Sequence, residues 1–206
     1  MGGGLSVMRA GSSPSGIEIV SGAARIPHVS LVQDREVIGD FTTATGWTVL
    51  GTDTVNLAAS VTHVLGTASL EFDKVDGVAN TIFAGASNTL TSAVNLSRFS
   101  SHDALEVAFY VSATTDVAYA FVRLGTDVSN YNEWRIDDAS ITPATWDVHQ
   151  LPISACELTP VGNGWNPSAV AYCSIGVAFD DEADALADIK FDHLFAGAAY
   201  LRVSVH

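Results

Sequence analysis

A chain of 206 residues that is 48 % apolar and 16 % charged can bury one sizeable core and is too apolar to remain unfolded. Nine basic against 23 acidic side chains leave a formal charge of −14, which argues against a nucleic-acid partner, because phosphate binding is driven mainly by Lys and Arg. No run approaches the roughly 18 consecutive apolar residues of a membrane span. The opening MGGGLSVMRAGSSPSG lacks the basic-then-apolar layout of a secretory signal.

Taken from the start, Gly2, Gly3 and Gly4 and then GSSPSG at 11–16 form a turn-rich stretch that cannot bury a core. Short extended runs follow, IEIV at 17–20 and HVSLV at 28–32, with Pro27 pushing Ile26 toward extended backbone. Arg9, Arg25 and Arg35 balance Glu18, Asp34 and Glu36, so residues 40–206 hold the whole −14. Residues 1–39 therefore read as an extended, charge-neutral N-terminal arm.

From Asp40 the pattern changes to strands at regular spacing. GWTVLG, THVLG, ASLEF, NTIFAG and SAVNL are the early candidates. LEVAFYV at 105–111 alternates cleanly, which sends Leu105, Val107, Phe109 and Val111 to one face. AYAFVRL at 118–124 follows the turn SATTD, and the two runs read as a hairpin. NEWRID, TWDVHQL, SIGVAF, IKFDHLFA and AYLRVSV complete the series, while DDEADALAD at 180–188 reads as a solvated loop. Many short strands with turns every 8–12 residues predict an all-β protein, an antiparallel β-sandwich of jelly-roll type over 40–206 behind the arm.

Signatures of catalysis are missing. There is no GxSxG and no phosphate loop, and His28, His63, His102, His149, His193 and His206 form neither HxH nor HExxH. Cys156 and Cys173 lie 17 positions apart, outside any zinc-ligand spacing, and read as reduced, largely buried thiols. The carboxylate pairs Glu106 with Glu133 and Glu71 with Asp73 are the sequence's case for glycoside hydrolysis, but so acidic a domain produces close pairs by chance. A non-enzyme is the expectation. Aromatic residues remain. Tyr131, Asn132, Trp134 and Trp165 are the candidate glycan contacts, since rings offer flat apolar platforms and amides reach hydroxyls. Alternation puts Asn132 and Trp134 on one face of their strand and Glu133 and Arg135 on the other, so the four cannot serve one site, and this favours a core role for Trp134. Trp165, between Gly162, Gly164 and Pro167, reads as a loop plug or interface anchor.

Together these segments resemble the galactose-binding-like and carbohydrate-binding jelly-roll modules. The resemblance rests on Phe41 and Trp47, on Gly66, Ser69 and Leu70 in a G-x-x-S-L strand, on Trp146 and Pro152, and on Ile189 and Asp192, and it spans roughly 40–197. It implies a structural calcium between the beginning and end of the domain, for which Asp40 and Asp192 are the corresponding ligands; no other cofactor is expected. Modules of this type also occur in bacteriophage particles. With an arm ahead of a lone sandwich and no secretion signal, the resemblance leads to a non-enzymatic virion structural protein. The expected form is a capsid decoration or cement subunit, a homo-oligomer with a trimer as one option, located on the virion. It would dock on capsid proteins through Ile17, Ile19, Val20, Ile26, Val29, Leu31 and Val32. The alternative is a lectin-like module of a phage tail or fibre that recognises a host glycan through Tyr131, Asn132, Trp134 and Trp165.

Overall fold

A computed structural model describes residues 19–20, 23–24, 35–39, 41–77, 82–99 and 103–198. The chain divides into two units, Met1–Asp34 and Arg35–His206. In the first, β1 (Ile19–Val20) and β2 (Ala23–Ala24) pair antiparallel, with Ile19 opposite Ala24.

Among the described residues the second unit holds twelve strands. In chain order they are β3 (Arg35–Gly39), β4 (Trp47–Leu50), β5 (Thr54–Ser60), β6 (Ser69–Lys74), β7 (Phe83–Val94) and β8 (Asp103–Tyr110). Then come β9 (Val117–Asp127), β10 (Asn130–Asp137), β11 (Asp147–Pro152), β12 (Glu157–Val161), β13 (Val170–Phe179) and β14 (Leu186–Ala198). They form two antiparallel sheets. The front sheet runs β12-β10-β9-β13-β7-β4, and the back sheet runs β11-β8-β14-β6-β5 with β3 added beside β14.

Period-two alternation builds the core between the sheets. Leu105, Val107 and Phe109 of β8, with Val111 just beyond it, are all fully buried, as their spacing predicts. From the front sheet come Ala120, Val122 and Leu124 of β9, Trp134 and Ile136 of β10, and Ile175 and Val177 of β13. A row of rings crosses the inner side of the back sheet. Phe72 stacks on Phe191 at 6.1 Å, Phe191 on Phe109 at 5.6 Å, and Phe109 on His149 at 5.4 Å. Cross-strand aromatic pairs of this kind each stabilise a sheet by about 0.5–1.5 kcal/mol beyond area burial.

Several expectations are corrected. The runs 105–111 and 118–124 are not a hairpin, because β8 belongs to the back sheet and β9 to the front. An arch over the core and a hairpin turn share the same polar loop and the same alternation, so local pattern cannot separate them. THVLG is a loop: Val64 and Leu65 are 44 % and 47 % exposed, and their amides donate to the Asp192 carboxylate instead of a ladder. The adjacent TVNLAAS, with weaker alternation, is the strand, and β12 has no counterpart among the expected elements. Finally, the sandwich begins before residue 40. β3 pairs with β14 through Val37 opposite Phe195, and Ile38 is 3 % exposed within the core.

Candidate functional site: the outer face of the front sheet

The residues left over by the core alternation point away from it. On β9 these are Tyr119, Phe121 and Arg123, and on β10 Tyr131, Glu133 and Arg135. Register brings them side by side, with Arg123 between Glu133 of β10 and Ser174 of β13, and Phe121 between Arg135 and Gly176. Gly176 is needed there, since a Cβ would sit 2.5 Å from the Phe121 ring. Toward the far edge the floor is low, with Gly85 beside Gly176 and Ser87 between Ser174 and Thr48.

A charge network locks this layer. The two carboxylate oxygens of Glu133 accept from Arg123 Nε at 2.7 Å and from Arg135 Nε at 2.6 Å. Arg123 and Glu133 are only 12 % and 11 % exposed, whereas Arg135 keeps 28 %. The Arg123 guanidinium lies 4.1 Å above the centre of the fully buried Phe121 ring, with the Tyr131 ring at 5.2 Å. Arg135 lies 4.0 Å above the centre of Tyr119. Cation–ring contacts of this sort are strengthened by desolvation. Burial raises the phenol pKa of Tyr119, with the Glu133 charge adding to it, and burial raises Tyr172 as well. Both phenols therefore stay protonated around neutral pH and can donate hydrogen bonds.

Chemically, the layer offers half-buried rings at Tyr119 and Tyr131, a planar guanidinium at Arg135 and a fixed carboxylate at Glu133. Such a set suits a ligand with apolar ring faces and equatorial hydroxyls. Rings take the C–H face, and the charged groups take the hydroxyls through short, directional bonds.

Of the four candidate glycan contacts, Tyr131 alone lies on this face. Asn132 faces inward, where its Oδ1 accepts from Trp165 N at 2.9 Å and its Nδ2 donates to Cys156 Sγ at 3.1 Å. Trp134 is 1 % exposed, donates Nε1–H to the Pro152 carbonyl at 3.2 Å, and meets Trp165 edge-on at 5.2 Å. Asn132 and Trp134 are buried, and Trp165, half-buried, packs against Trp134 and hydrogen-bonds Asn132 through its backbone amide. Signal for this outer face was present in the sequence, because Glu133 and Arg135 fall opposite Trp134 and the same alternation yields Tyr119, Phe121 and Arg123.

The remaining candidates are placed as follows. Glu106 and Glu133 belong to outer faces of opposite sheets, so they cannot act on one bond. Glu71 pairs with Lys190 at 3.4 Å, and Asp73 accepts from Asn56 Nδ2 at 2.7 Å and from the Asp188 amide at 2.9 Å. Asp192 is 3 % exposed, and its Oδ2 accepts from both Val64 N and Leu65 N at 2.6 Å. Asp40 lies outside the described residues, and among those described no group of three His, Cys, Asp or Glu side chains could hold a metal. Ile17, Ile26, Val29, Leu31 and Val32 also lie outside them, as do the side chains of Ile19 and Val20.

No protein-family model matches the chain, and no curated protein does. Solved structures do. The chain is similar to the family 30 carbohydrate-binding module of a cellulosomal cellulase of Clostridium thermocellum. Identity is 15 %, the TM-score is 0.55, and the match covers 79 % of this chain and 96 % of that one. It is similar also to the family 11 carbohydrate-binding module from Clostridium thermocellum, solved with a β-1,3-1,4-mixed-linked tetrasaccharide. Here identity is 12 %, the TM-score 0.56, and coverage 82 % and 98 %. An exo-β-agarase matches at 10 % identity and a TM-score of 0.57, over 80 % of this chain but 25 % of that one. The likeness is one of fold: an all-β jelly-roll sandwich of the kind that carbohydrate-binding modules use.

Proposed function

We propose that the chain is a non-catalytic carbohydrate-binding module that takes a glycan across the outer face of its front sheet. The observation that carries this is the layer of Tyr119, Tyr131, Arg135 and Glu133, held in place by ion pairs of 2.6 and 2.7 Å before any ligand arrives. Preorganisation of this type reduces the ordering cost of binding. Support comes also from the fold, shared with a module solved in complex with a mixed-linked tetrasaccharide. The ligand class follows from the face, namely a neutral polysaccharide with alternating apolar and hydroxylated edges.

Affinity electrophoresis in gels containing mixed-linked β-glucan, and retention on agarose beads, test the reading. The chain should be retarded by at least one of the two. Tyr131→Ala and Arg135→Ala should each weaken binding about tenfold, equivalent to ~1.4 kcal/mol, with folding intact. Absence of retention on these and on a wider glycan panel would remove the proposal. The carbohydrate-binding alternative takes precedence over the capsid-decoration expectation because the similar solved structures include carbohydrate-binding modules. Display of the module on a virion belongs to the same proposal. Binding of the full chain to phage particles, compared with residues 35–206 alone, is its test.

A further inference from the structure

On the opposite side of the sandwich a cavity of about 210 Å³ opens over β14. A bulge makes it. Between Phe191 and Leu194 the register of β14 slips against β8, where Phe191 faces Phe109 and Leu194 faces Val107. One extra residue is thus inserted, and bulges re-aim side chains. Asp192 is spent on the amides of Val64 and Leu65 at 2.6 Å, which fastens the 61–66 loop as one wall of the cavity. His193 is left lining it.

His193 is 8 % exposed and lies parallel to Phe195 at 4.9 Å. Its Nε2 is 3.4 Å from Glu106 Oε1, an oxygen that also lies 3.5 Å from Arg35. In the neutral ring one nitrogen donates and the other accepts, and a hydroxyl can serve either. Both ring nitrogens are buried without a hydrogen-bond partner among the described residues, and Nδ1 is the one turned away from the Glu106 contact. A buried, unpartnered polar side chain that lines a cavity wants a hydrogen-bonding partner from a ligand. Around it the lining is apolar: Phe41 and Phe195 are buried, while Val37 and Leu65, 54 % and 47 % exposed, form the mouth.

We propose that this cavity is a second ligand site, which takes one neutral sugar ring with a hydroxyl hydrogen-bonded to His193 Nδ1 and C–H groups against Val37 and Leu65. Its volume falls below the roughly 300–1,000 Å³ that holds larger ligands, so it admits a single ring and not a chain. The carboxylates of Asp192 and Glu106 flank the histidine and disfavour an anionic ring. A ring without hydroxyls would leave Nδ1 unpartnered, which discriminates strongly against it. The site lies on the other sheet from the Tyr131 face, so it stands or falls separately.

The test is a ¹H–¹⁵N NMR titration of the full chain with D-glucose and D-galactose. Saturable shifts are expected at the amides of Thr42, Leu65 and Gly66 and at the His193 ring nitrogens, with Kd on the order of millimolar, as fits few contacts. Val37→Trp and Leu65→Trp, both at exposed positions, should weaken these shifts at least tenfold and leave polysaccharide binding at the front sheet unchanged. Shifts that stay linear with sugar concentration, shifts confined to Tyr119, Tyr131 and Arg135, or shifts that survive both tryptophan variants would each overturn the site.

Discussion

Glu133 pairs with two guanidiniums, each largely or partly removed from water, so its loss is felt on both sides. Breaking a buried pair leaves an uncompensated charge, and Glu133→Ala should cost on the order of 3 kcal/mol in urea unfolding. Glu133→Gln, which retains one acceptor, should cost less. Lys74 reverses the usual placement of lysine. At 2 % exposure its Nζ donates to the carbonyls of Glu182 and Asp184 at 2.7 Å, which tethers the acidic loop that sequence alone reads as merely solvated. Composition cannot show this, because a lysine satisfied by backbone carbonyls looks like any other lysine. The cysteines differ in the same local way. Burial pushes the Cys173 thiol up to about 12, whereas Cys156 is half-buried. A thiol reagent on the native protein should label Cys156 within minutes and Cys173 only upon unfolding, in line with the thiolate being the reactive form.

Among the elements, β3 is the one whose assignment most changes the chain's organisation. It closes the open edge of β14 and brings Ile38 into the core, a burial worth ~2 kcal/mol in addition to the ladder bonds. A chain cut before Arg35 should melt with the full-length protein. One cut after Gly39 should melt about 5 °C lower, as followed by circular dichroism. The sequence marks REVIG weakly because one charged residue precedes another, and edge strands tolerate charge. By contrast β8, β9, β10 and β13 were legible, each having five or more residues of steady alternation, and IKFDHLFA marked β14 although a bulge breaks its alternation. The strands that escaped, β5 and β12, are at sheet edges, where one flank meets solvent and the alternation is diluted.

Over the whole molecule, two histidines link folding to pH. Burial lowers the imidazole pKa of both His149 and His193, the carboxylates beside them opposing the shift only in part. The folded state then binds fewer protons than the unfolded state below the free value of about 6.5. Stability is accordingly full above that value and falls as pH drops from it through the lowered folded values. The melting temperature should decline between about pH 7 and pH 5, and the double variant His149→Gln, His193→Gln should flatten that slope. By itself the sequence determined the all-β class, the antiparallel sandwich and the identity of most core residues, because residues two apart on a strand share a face and that relation is local. It also separated Glu133 and Arg135 from Trp134. Only the tertiary structure decided which sheet each strand joins, that β8 and β9 arch across the core, and that the Arg123, Glu133 and Arg135 face is the outer one. Both faces of β9 and β10 carry large side chains, so neither is marked as the surface by alternation. The choice is made by pairing with β13, which is some fifty residues away along the chain and brings Gly176 under Phe121.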